Sequence, residues 1–372
     1  MNDRIRVGVI FGGRSGEHEV SLRSARFILS VLSPEKFEVT SIGITQNGKW
    51  YSGENVLDAF DKGDTNGLLP VCLLPEPGNN TLYVRKPSED QTILEPLTRL
   101  DVIFPILHGT FGEDGTLQGL LEMAGLAYVG AGVLGSAVGM DKALFKDVLT
   151  AHNLPVVDSI TANILDAKTS LTAILDEAEA MSPYPLFVKP ANMGSSVGIT
   201  KCRSRSDLME GVMDALRFDR RVLIERGINA REIEISVLGN EDPLVSLPGE
   251  ICPKDDFYTY AAKYLTDDSE LIIPAKLDEK TVESLRKMAA QVYKAVDCAG
   301  MARVDFLLDK DNGAIYINEI NTLPGFTSIS MYPKLWEVSG ISGQELVERL
   351  ISLALERKQV RDGLEYQYGS KA

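Results

Sequence analysis

Residues Arg4–Phe11 form a short, almost wholly apolar run, and Gly12, Gly13 and Gly16 end it. A run of that length closed by glycines suits a strand buried in a parallel sheet. Apolar Leu22, Ala25, Phe27, Ile28, Leu29 and Leu32 then recur in a helical pattern from about Ser21 until Pro34 stops it. Val39–Ile44 supplies a second strand. Strand, glycine loop, helix, strand is the opening of an α/β domain. Asp101–Leu107 reads as a further buried strand ending at His108-Gly109, and Pro75–Gln91, rich in Pro, Gly, Asn and charge, as exposed loop and hairpin.

The remainder of the chain changes pattern. Thr116–Ala124 predicts a helix with Gly125 past its end, and Asp141 caps a helix running to about His152. Leu186–Lys201 reads strand, glycine-rich loop, strand; Asp207–Leu216 reads as helix and Val222–Glu225 as strand. Helices follow near 278–297 and 343–356. A chain of 372 residues exceeds one ordinary core. The expected division is an N-terminal parallel-sheet α/β domain over 1–129, a smaller central α+β unit over 130–224, and a C-terminal unit over 225–372. The last residues, 366–372, are expected to fray.

Composition narrows the function classes. Hydrophobic residues make up 44% and charged residues 24%, the balance of a soluble globular enzyme. A net charge of −15 excludes a broad basic face for nucleic acid. Apolar runs are too short to cross a bilayer, and the N-terminus leads straight into a strand with no secretory signal. Cytoplasmic residence with no membrane partner is the expectation. Cys72, Cys202, Cys252 and Cys298 are scattered, which implies reduced, mostly buried thiols rather than a zinc site.

Two nucleotide motifs are near misses. Gly43–Trp50 resembles a P-loop, but Trp50 has no hydroxyl for magnesium, and Asn47-Gly48 is a hairpin-turn signal. Gly130-Ala-Gly132-Val-Leu-Gly135 follows a short strand and spells a dinucleotide fingerprint. It lacks the acidic residue that such a site places at the end of its second strand. An NAD-dependent dehydrogenase stands as a remote alternative.

The richest segment is C-terminal. Ala302–Leu308 alternates as a strand, Asp309–Gly313 is a turn, and Ala314–Ile320 returns as a second strand. With the five turn residues as the loop, Leu308 pairs with Ala314, and Asp305 and Glu319 are diagonal neighbours. Arg303, Asp305, Glu319 and Asn321 then share one face, because strand side chains alternate. Paired carboxylates repel unless something cationic lies between them. Magnesium bound to phosphates satisfies that need, since it takes a few carboxylate oxygens and leaves the rest to substrate. The alternative is a surface on which Arg303 alone neutralises the pair. Asn321 and the following Leu323-Pro324-Gly325 favour a site.

Three further elements fit a nucleotide ligand. Lys189 ends a strand, and the loop through Gly194, Ser195, Ser196 and Gly198 offers backbone N–H groups to phosphate oxygens; a plain hairpin with a long loop is the other reading, and the sequence alone favours neither. Lys142 lies in the first turn of its helix, where the helix dipole disfavours a cation; either an anion binds nearby, or the lysine is exposed and tolerates the small cost. Glu225 ends a strand and suits a ribose or adenine edge; an ordinary exposed loop acid is its other reading.

Together these pieces resemble the D-alanine–D-alanine ligase family of the ATP-grasp superfamily. The resemblance is carried by Gly12–Ser21, His108–Gly115, Met140-Asp141-Lys142, Val188–Gly198, Tyr260–Tyr264, Met301–Asp305 and Asn318–Ser330, in that family's order. It implies an ATP-grasp fold with three domains. It implies ATP-dependent joining of two D-alanines through a D-alanyl phosphate, supplying the peptidoglycan precursor, with D-alanyl-D-lactate or D-alanyl-D-serine ligation as the nearby alternative. The implied cofactors are ATP and two Mg2+ ions, with Mn2+ as substitute, and the implied assembly is a homodimer. By the resemblance Glu17 holds the ammonium of the first D-alanine, with Ser195 and Tyr264 as its hydrogen-bonded partners. His108 lies near that substrate, and Ser330 binds the carboxylate of the second. Arg303 and the Gly325 N–H stabilise the oxyanion. Lys142, Lys189 and the Ser196 loop meet the ATP phosphates, and Lys263 closes over them from a mobile loop at 254–274. Glu225, the Ile228 backbone and Glu232 contact adenosine, and Asp305, Glu319 and Asn321 hold the metal. The loop reads Tyr-Ala-Ala-Lys-Tyr where many members carry an acid before the alanine, and Arg226-Gly227-Ile228 lacks the aromatic that some members carry. Both imply altered nucleotide packing. Tyr264 implies the dipeptide rather than the ester.

Overall fold

The computed structural model describes residues 4–194, 197–253 and 269–365. Three sheets succeed one another along the chain. The first contains β1 (Ile5–Gly12), β2 (Phe37–Ile44), β3 (Trp50–Ser52), β4 (Leu69–Leu73), β5 (Thr81–Ser88), β6 (Gln91–Arg99), β7 (Val102–Pro105) and β8 (Ala127–Tyr128). Its helices are α1 (His18–Val31), α2 (Val56–Asp61) and α3 (Thr116–Met123). The strand order is β6-β5-β4-β3-β2-β1-β7-β8.

Only β2, β1, β7 and β8 run parallel, as the opening pattern requires. The other half of this sheet is antiparallel and built from hairpins. The Asn47-Gly48 turn makes the first of them: Gly48 has φ of +84° and its N–H donates to the Thr45 carbonyl at 2.8 Å. The stretch read as loop and hairpin, 75–91, contains the whole of β5.

The second sheet is smaller and antiparallel, ordered β11-β10-β12-β9. Two helices precede it, α4 (Val133–Met140) and α5 (Lys142–Ala151). Its elements are β9 (Ser159–Asn163), α6 (Ile164–Met181), β10 (Leu186–Pro190), β11 (Thr200–Cys202), α7 (Arg205–Ala215) and β12 (Arg221–Arg226). The Asp141 carboxylate accepts the Leu144 N–H at 3.0 Å and so caps α5 as expected. Helix α6 was not foreseen; Asn163 starts it through a reciprocal capping box with Asp166.

The third sheet holds β13 (Ala230–Gly239), β14 (Leu244–Val245), β15 (Gly249–Pro253), β16 (Ser269–Ile272), β17 (Gly300–Asp309) and β18 (Ile315–Asn321). Helices α8 (Glu279–Ala295), α9 (Met331–Val338) and α10 (Gly343–Asp362) accompany it. Val138 of α4 and Phe145 and Leu149 of α5 pack into the core of this sheet with Ile233, Ile235 and Ala289. In chain position they belong to the expected central unit. Helix α10 crosses back the other way. Its Leu346, Val347, Leu350 and Ile351 join Val7, Val9 and Val102 in the core of the first sheet.

The β17–β18 hairpin corrects the expected register. Leu308 pairs with Ile315, not Ala314, and a bulge near Asp305 admits one extra residue into β18. Beyond it Asp305 faces Glu319 directly and Arg303 faces Asn321. Without the bulge, continuing the inner register would set Glu319 opposite Val304, whose side chain is in the core.

The Gly130–Gly135 fingerprint does join β8 to α4, but protein fills the space that a pyrophosphate needs. A Cβ at Gly135 would lie 2.7 Å from the Asp297 carbonyl oxygen, and one at Gly300 would lie 3.0 Å from the Gly130 nitrogen. Arg357 donates to the Gly130 and Tyr128 carbonyls. These glycines serve close packing, and the dehydrogenase alternative falls.

Candidate active site

The third sheet presents Arg303, Asp305, Glu319 and Asn321 on its open face. Arg303 makes a two-pronged pair with Asp305, both contacts at 2.7 Å, and its Nε lies 3.0 Å from Glu234 on β13. The Asn321 amide donates to Asp305 at 3.0 Å, leaving its carbonyl oxygen for other use. Among the described residues, no group of three or more His, Cys, Asp or Glu side chains is set to hold a metal. A divalent cation here would draw on two carboxylates and one amide oxygen and take its other oxygens from substrate or water. That hard, oxygen-only donor set fits magnesium.

Lys142, at the first position of α5, resolves its unfavourable place in the helix dipole through protein groups. Its Nζ donates to the Met193 carbonyl at 2.7 Å and lies 3.6 Å from Glu319. Its backbone N–H donates to Ala191 at 2.8 Å. Lys142 therefore ties the loop after β10 to the carboxylate face. Ser195 and Ser196 of that loop, and Lys263 and Tyr264 of the 254–274 segment, lie outside the described residues.

Glu225 is no exposed loop acid. It is buried and ion-paired to two lysines, Lys146 at 2.6 Å and Lys189. Burial alone would raise its carboxyl, but Lys189 and Lys146 outweigh burial and hold it down to about 2. Lys189 is correspondingly raised: burial opposes its charge and the Glu225 carboxylate restores it. Lys146 moves the other way, because burial outweighs Glu225 there. Lys146 also donates to the Val157 carbonyl at 2.7 Å. The following hinge has its own fit, since a Cβ at Gly227 would lie 2.5 Å from the Pro185 oxygen. Ile228 continues that hinge into β13, and Glu232 lines a small recess with Asp305 and Glu319.

The N-terminal domain supplies the facing wall. Glu17 is buried at the start of α1, and its carboxylate lies against two glycines. A Cβ at Gly109 would fall 2.5 Å from Glu17 Oε2, and one at Gly194 would fall 2.8 Å from it. Glu17 thus reaches the loop that carries Ser195. His108 is expected beside substrate, yet both of its ring nitrogens are taken by protein. Nδ1 meets the Leu323 carbonyl at 2.8 Å, and Nε2 meets the Ser24 hydroxyl at 3.0 Å. A carbonyl only accepts, so Nδ1 carries the proton and Nε2 accepts from Ser24. Burial lowers the His108 pKa, which favours this neutral ring.

Glu113 completes the wall. Its carboxylate accepts the Gly109 N–H at 2.7 Å and the Leu323 N–H at 3.0 Å. Burial and the neighbouring Glu17 carboxylate push it up to about 8. Ser330 precedes α9 without capping it, and its hydroxyl bonds Thr327. Glu17, Glu113, Lys142, Arg303, Glu319, Asn321, Gly325 and Ser330 all line one cleft of about 1160 Å³. Lys189 and Glu225 are not among its lining residues.

The family model for the N-terminus of D-ala D-ala ligase matches residues 6–131, and that for its C-terminus matches residues 148–352. The chain belongs to the D-alanine–D-alanine ligase family. It is 47% identical over 360 residues to the D-alanine–D-alanine ligase of Natranaerobius thermophilus, covering 96% of this chain and 97% of that one. It is 49% identical over 351 residues to that of Heliobacterium modesticaldum, covering 94% of each. Among solved structures, the D-alanine–D-alanine ligase from Coxiella burnetii matches with a TM-score of 0.81 at 36% identity, over 96% of both chains. The VanG D-Ala:D-Ser ligase from Enterococcus faecalis matches with 0.83 at 34%, over 95% of this chain and all of that one. The ATP-grasp fold expected from sequence is the fold observed.

Four residues of this candidate site carry no role in the sequence reading: Ser24, Glu113, Lys146 and Glu234. Glu234 had a legible signal. Arg231–Val237 alternates polar and apolar, which sets Glu232 and Glu234 on one face of a strand. Lys146 lies one helical turn after Lys142, a signal for a shared face. Glu113 and Ser24 act through backbone groups far away in sequence, and no local pattern announces those.

Proposed function

We propose that this chain joins two D-alanine molecules with ATP, giving D-alanyl-D-alanine, ADP and phosphate. The observation that carries this reading is the shared cleft: Glu17 on one wall and Arg303, Gly325 and Ser330 on the other, with the Asp305–Glu319 pair beside them. A carboxylate is a poor electrophile, so the γ-phosphate of ATP passes to the first D-alanine carboxylate. Magnesium, held by Asp305, Glu319 and the Asn321 carbonyl, would supply charge stabilisation to the phosphates.

Glu17 holds the first ammonium, supported by Ser195 and Tyr264, and Ser330 holds the second substrate's carboxylate. Lys142, Lys189, Lys263 and the Ser196 loop meet the phosphates; Glu225, the Ile228 backbone and Glu232 meet adenosine. For Lys189 to do so it must leave Glu225, and Lys146 then keeps that carboxylate paired. When the second amine attacks the acyl phosphate, Arg303 and the Gly325 N–H receive the developing oxyanion. Each such donor contributes about 3 kcal/mol in comparable sites. The family resemblance implies a lid that excludes water; residues 269–272 of the expected 254–274 loop are instead strand β16, paired with β15. His108 orients the wall rather than accepting a proton, because both ring nitrogens are engaged.

We further assign the chain to the cytoplasm, where it supplies dipeptide for peptidoglycan as a homodimer. Of the three domains expected at 1–129, 130–224 and 225–372, the central sheet runs on to Arg226, the end of β12, and α4 and α5 pack against the third sheet. No described helix is long and apolar enough to cross a membrane. The test is phosphate release with ATP, magnesium and D-alanine, repeated with L-alanine and with D-lactate or D-serine as second substrate. Release with D-alanine and silence with L-alanine supports the reading. Silence with D-alanine, or equal release with L-alanine, overturns it.

A further inference from the structure

Leu323 is gripped on both sides of its backbone by one loop of the N-terminal domain. Its N–H donates to Glu113 Oε1 at 3.0 Å, and its carbonyl accepts from His108 Nδ1 at 2.8 Å. Two residues past Gly325's N-terminal neighbour, the hold repeats: the Phe326 N–H donates to the Ser24 hydroxyl at 3.2 Å, and that hydroxyl donates to His108 Nε2. Gly325 therefore lies between two anchored residues, with Pro324 fixing the φ of the step before it. The second oxygen of Glu113 accepts the Gly109 N–H at 2.7 Å, which fixes the carboxylate itself.

We propose that Glu113 is a positioning residue for the amine-attack step, holding the Leu323–Phe326 segment so that the Gly325 N–H is aimed at the reacting carbonyl. This rests on the ligase reading above. An oxyanion donor is effective only if it is fixed before the charge appears, and misplacement by about an ångström is costly. A carboxyl suits the task better than an amide. Each of its oxygens accepts one backbone N–H here, whereas an amide would turn its NH2 toward one of those two donors.

The two halves of the reaction separate this role from general support of the fold. Phosphoryl transfer to the first D-alanine needs ATP and the Glu17 wall. Amine attack needs the Gly325 N–H. Loosening that N–H leaves the acyl phosphate forming but poorly captured. Water then attacks it, returning D-alanine and phosphate, so that ATP is cleaved without dipeptide.

The experiment measures ATP cleaved and dipeptide formed by the full chain and by Glu113→Gln, with thermal melting as a fold control. The glutamine presents one NH2 where an oxygen accepted, so either Gly109 or Leu323 loses its partner. The expected result is dipeptide turnover down by about 10- to 100-fold, KM for ATP little changed, and more than one ATP cleaved per dipeptide. Ser24→Ala, which releases Phe326 and unpins His108, is expected to give the same uncoupling more mildly, and it carries the test if Glu113→Gln does not fold. Wild-type coupling in folded variants, or ATP cleavage and dipeptide falling in step, overturns the proposal. Absence of dipeptide from the wild-type chain overturns the ligase reading instead.

Discussion

Asp305 and Glu319 stand directly opposite one another across β17 and β18, and the extra residue admitted into β18 beside them is what makes this so. The bulge lets Ile317 and Ile320 both reach the core while Glu319 and Asn321 stay on the open face. A site built on a strand irregularity is held by the sheet on either side, so its carboxylates need no loop to orient them.

Neutralising either carboxylate tests the metal assignment. Asp305→Asn and Glu319→Gln are each expected to raise the magnesium concentration for half-maximal rate by at least about 10-fold, in the range of lost metal-site contacts. Magnesium titration of the steady-state rate is the measurement. An unchanged titration in both variants removes the pair from the metal site.

Arg303 pairs with Asp305 and Glu234, and the proposed reaction also gives it the oxyanion; two substitutions separate the two. Arg303→Ala is expected to lower turnover by about 100- to 1,000-fold, with KM for ATP close to wild type. It also leaves Asp305 and Glu234 without their guanidinium, so melting temperature falls. Arg303→Lys restores charge without the planar fork. Recovery of stability without recovery of turnover is the expected split; normal turnover in either variant would remove Arg303 from the oxyanion role.

Glu225 should announce itself in acid. Its folded-state carboxyl is depressed to about 2 from an ordinary value of 4.5. Between those values the unfolded chain binds more protons than the folded one, so stability rises with pH across that window. The contribution is complete above the ordinary value and is lost as pH falls toward 2. Glu225→Gln strands Lys146 and Lys189 as buried charges, a loss typically of about 3–5 kcal/mol. Chemical denaturation at several pH values is expected to show a lower stability and a flatter acid slope than wild type. Equal slopes would show that this pair does not govern the acid limb.

Two glycines define the seat of Glu17. Gly109→Ala places a methyl 2.5 Å from the Glu17 carboxylate at a φ of +76°, and Gly194→Ala places one at 2.8 Å. Both are expected to raise KM for D-alanine, Gly109→Ala the more, on the scale of about 10- to 100-fold. Gly119→Ala, in α3 with nothing within 4 Å of its Cβ, serves as the control and is expected to leave KM unchanged. Initial rates against D-alanine decide; an unshifted KM at both 109 and 194 would separate Glu17 from substrate binding.

What the sequence made legible was local. The β1–α1–β2 opening, the Asn47-Gly48 turn and the Asp141 cap each depend on residues a few positions apart, and each formed as read. The shared face of Arg303, Asp305, Glu319 and Asn321 was also reached, though by the wrong register. An error of one residue near the turn and an unforeseen bulge offset each other in parity. Glu113, by contrast, meets its partner Leu323 across 210 positions, and that partner is a backbone N–H that any residue but proline would supply. Side-chain identity carries no record of such a contact. The burial of Glu225 was missed for a related reason. Lys146 pairs with it only once α5 and β12 have packed, and the strand end alone looks exposed.

Helix α10 sets an order on how this protein comes into being. Its apolar face closes the core that β1 and β7 begin. A ribosome delivers β1 and α1 early and α10 late, so this core has α1 over it but lacks its closing helix until residues 343–362 have been made. That interval leaves the side of the core around Val102 open to other nascent chains, and it makes chaperone cover most valuable before α10 is made. For the same reason, a chain cut before Gly343 would lose the closing piece of its first domain.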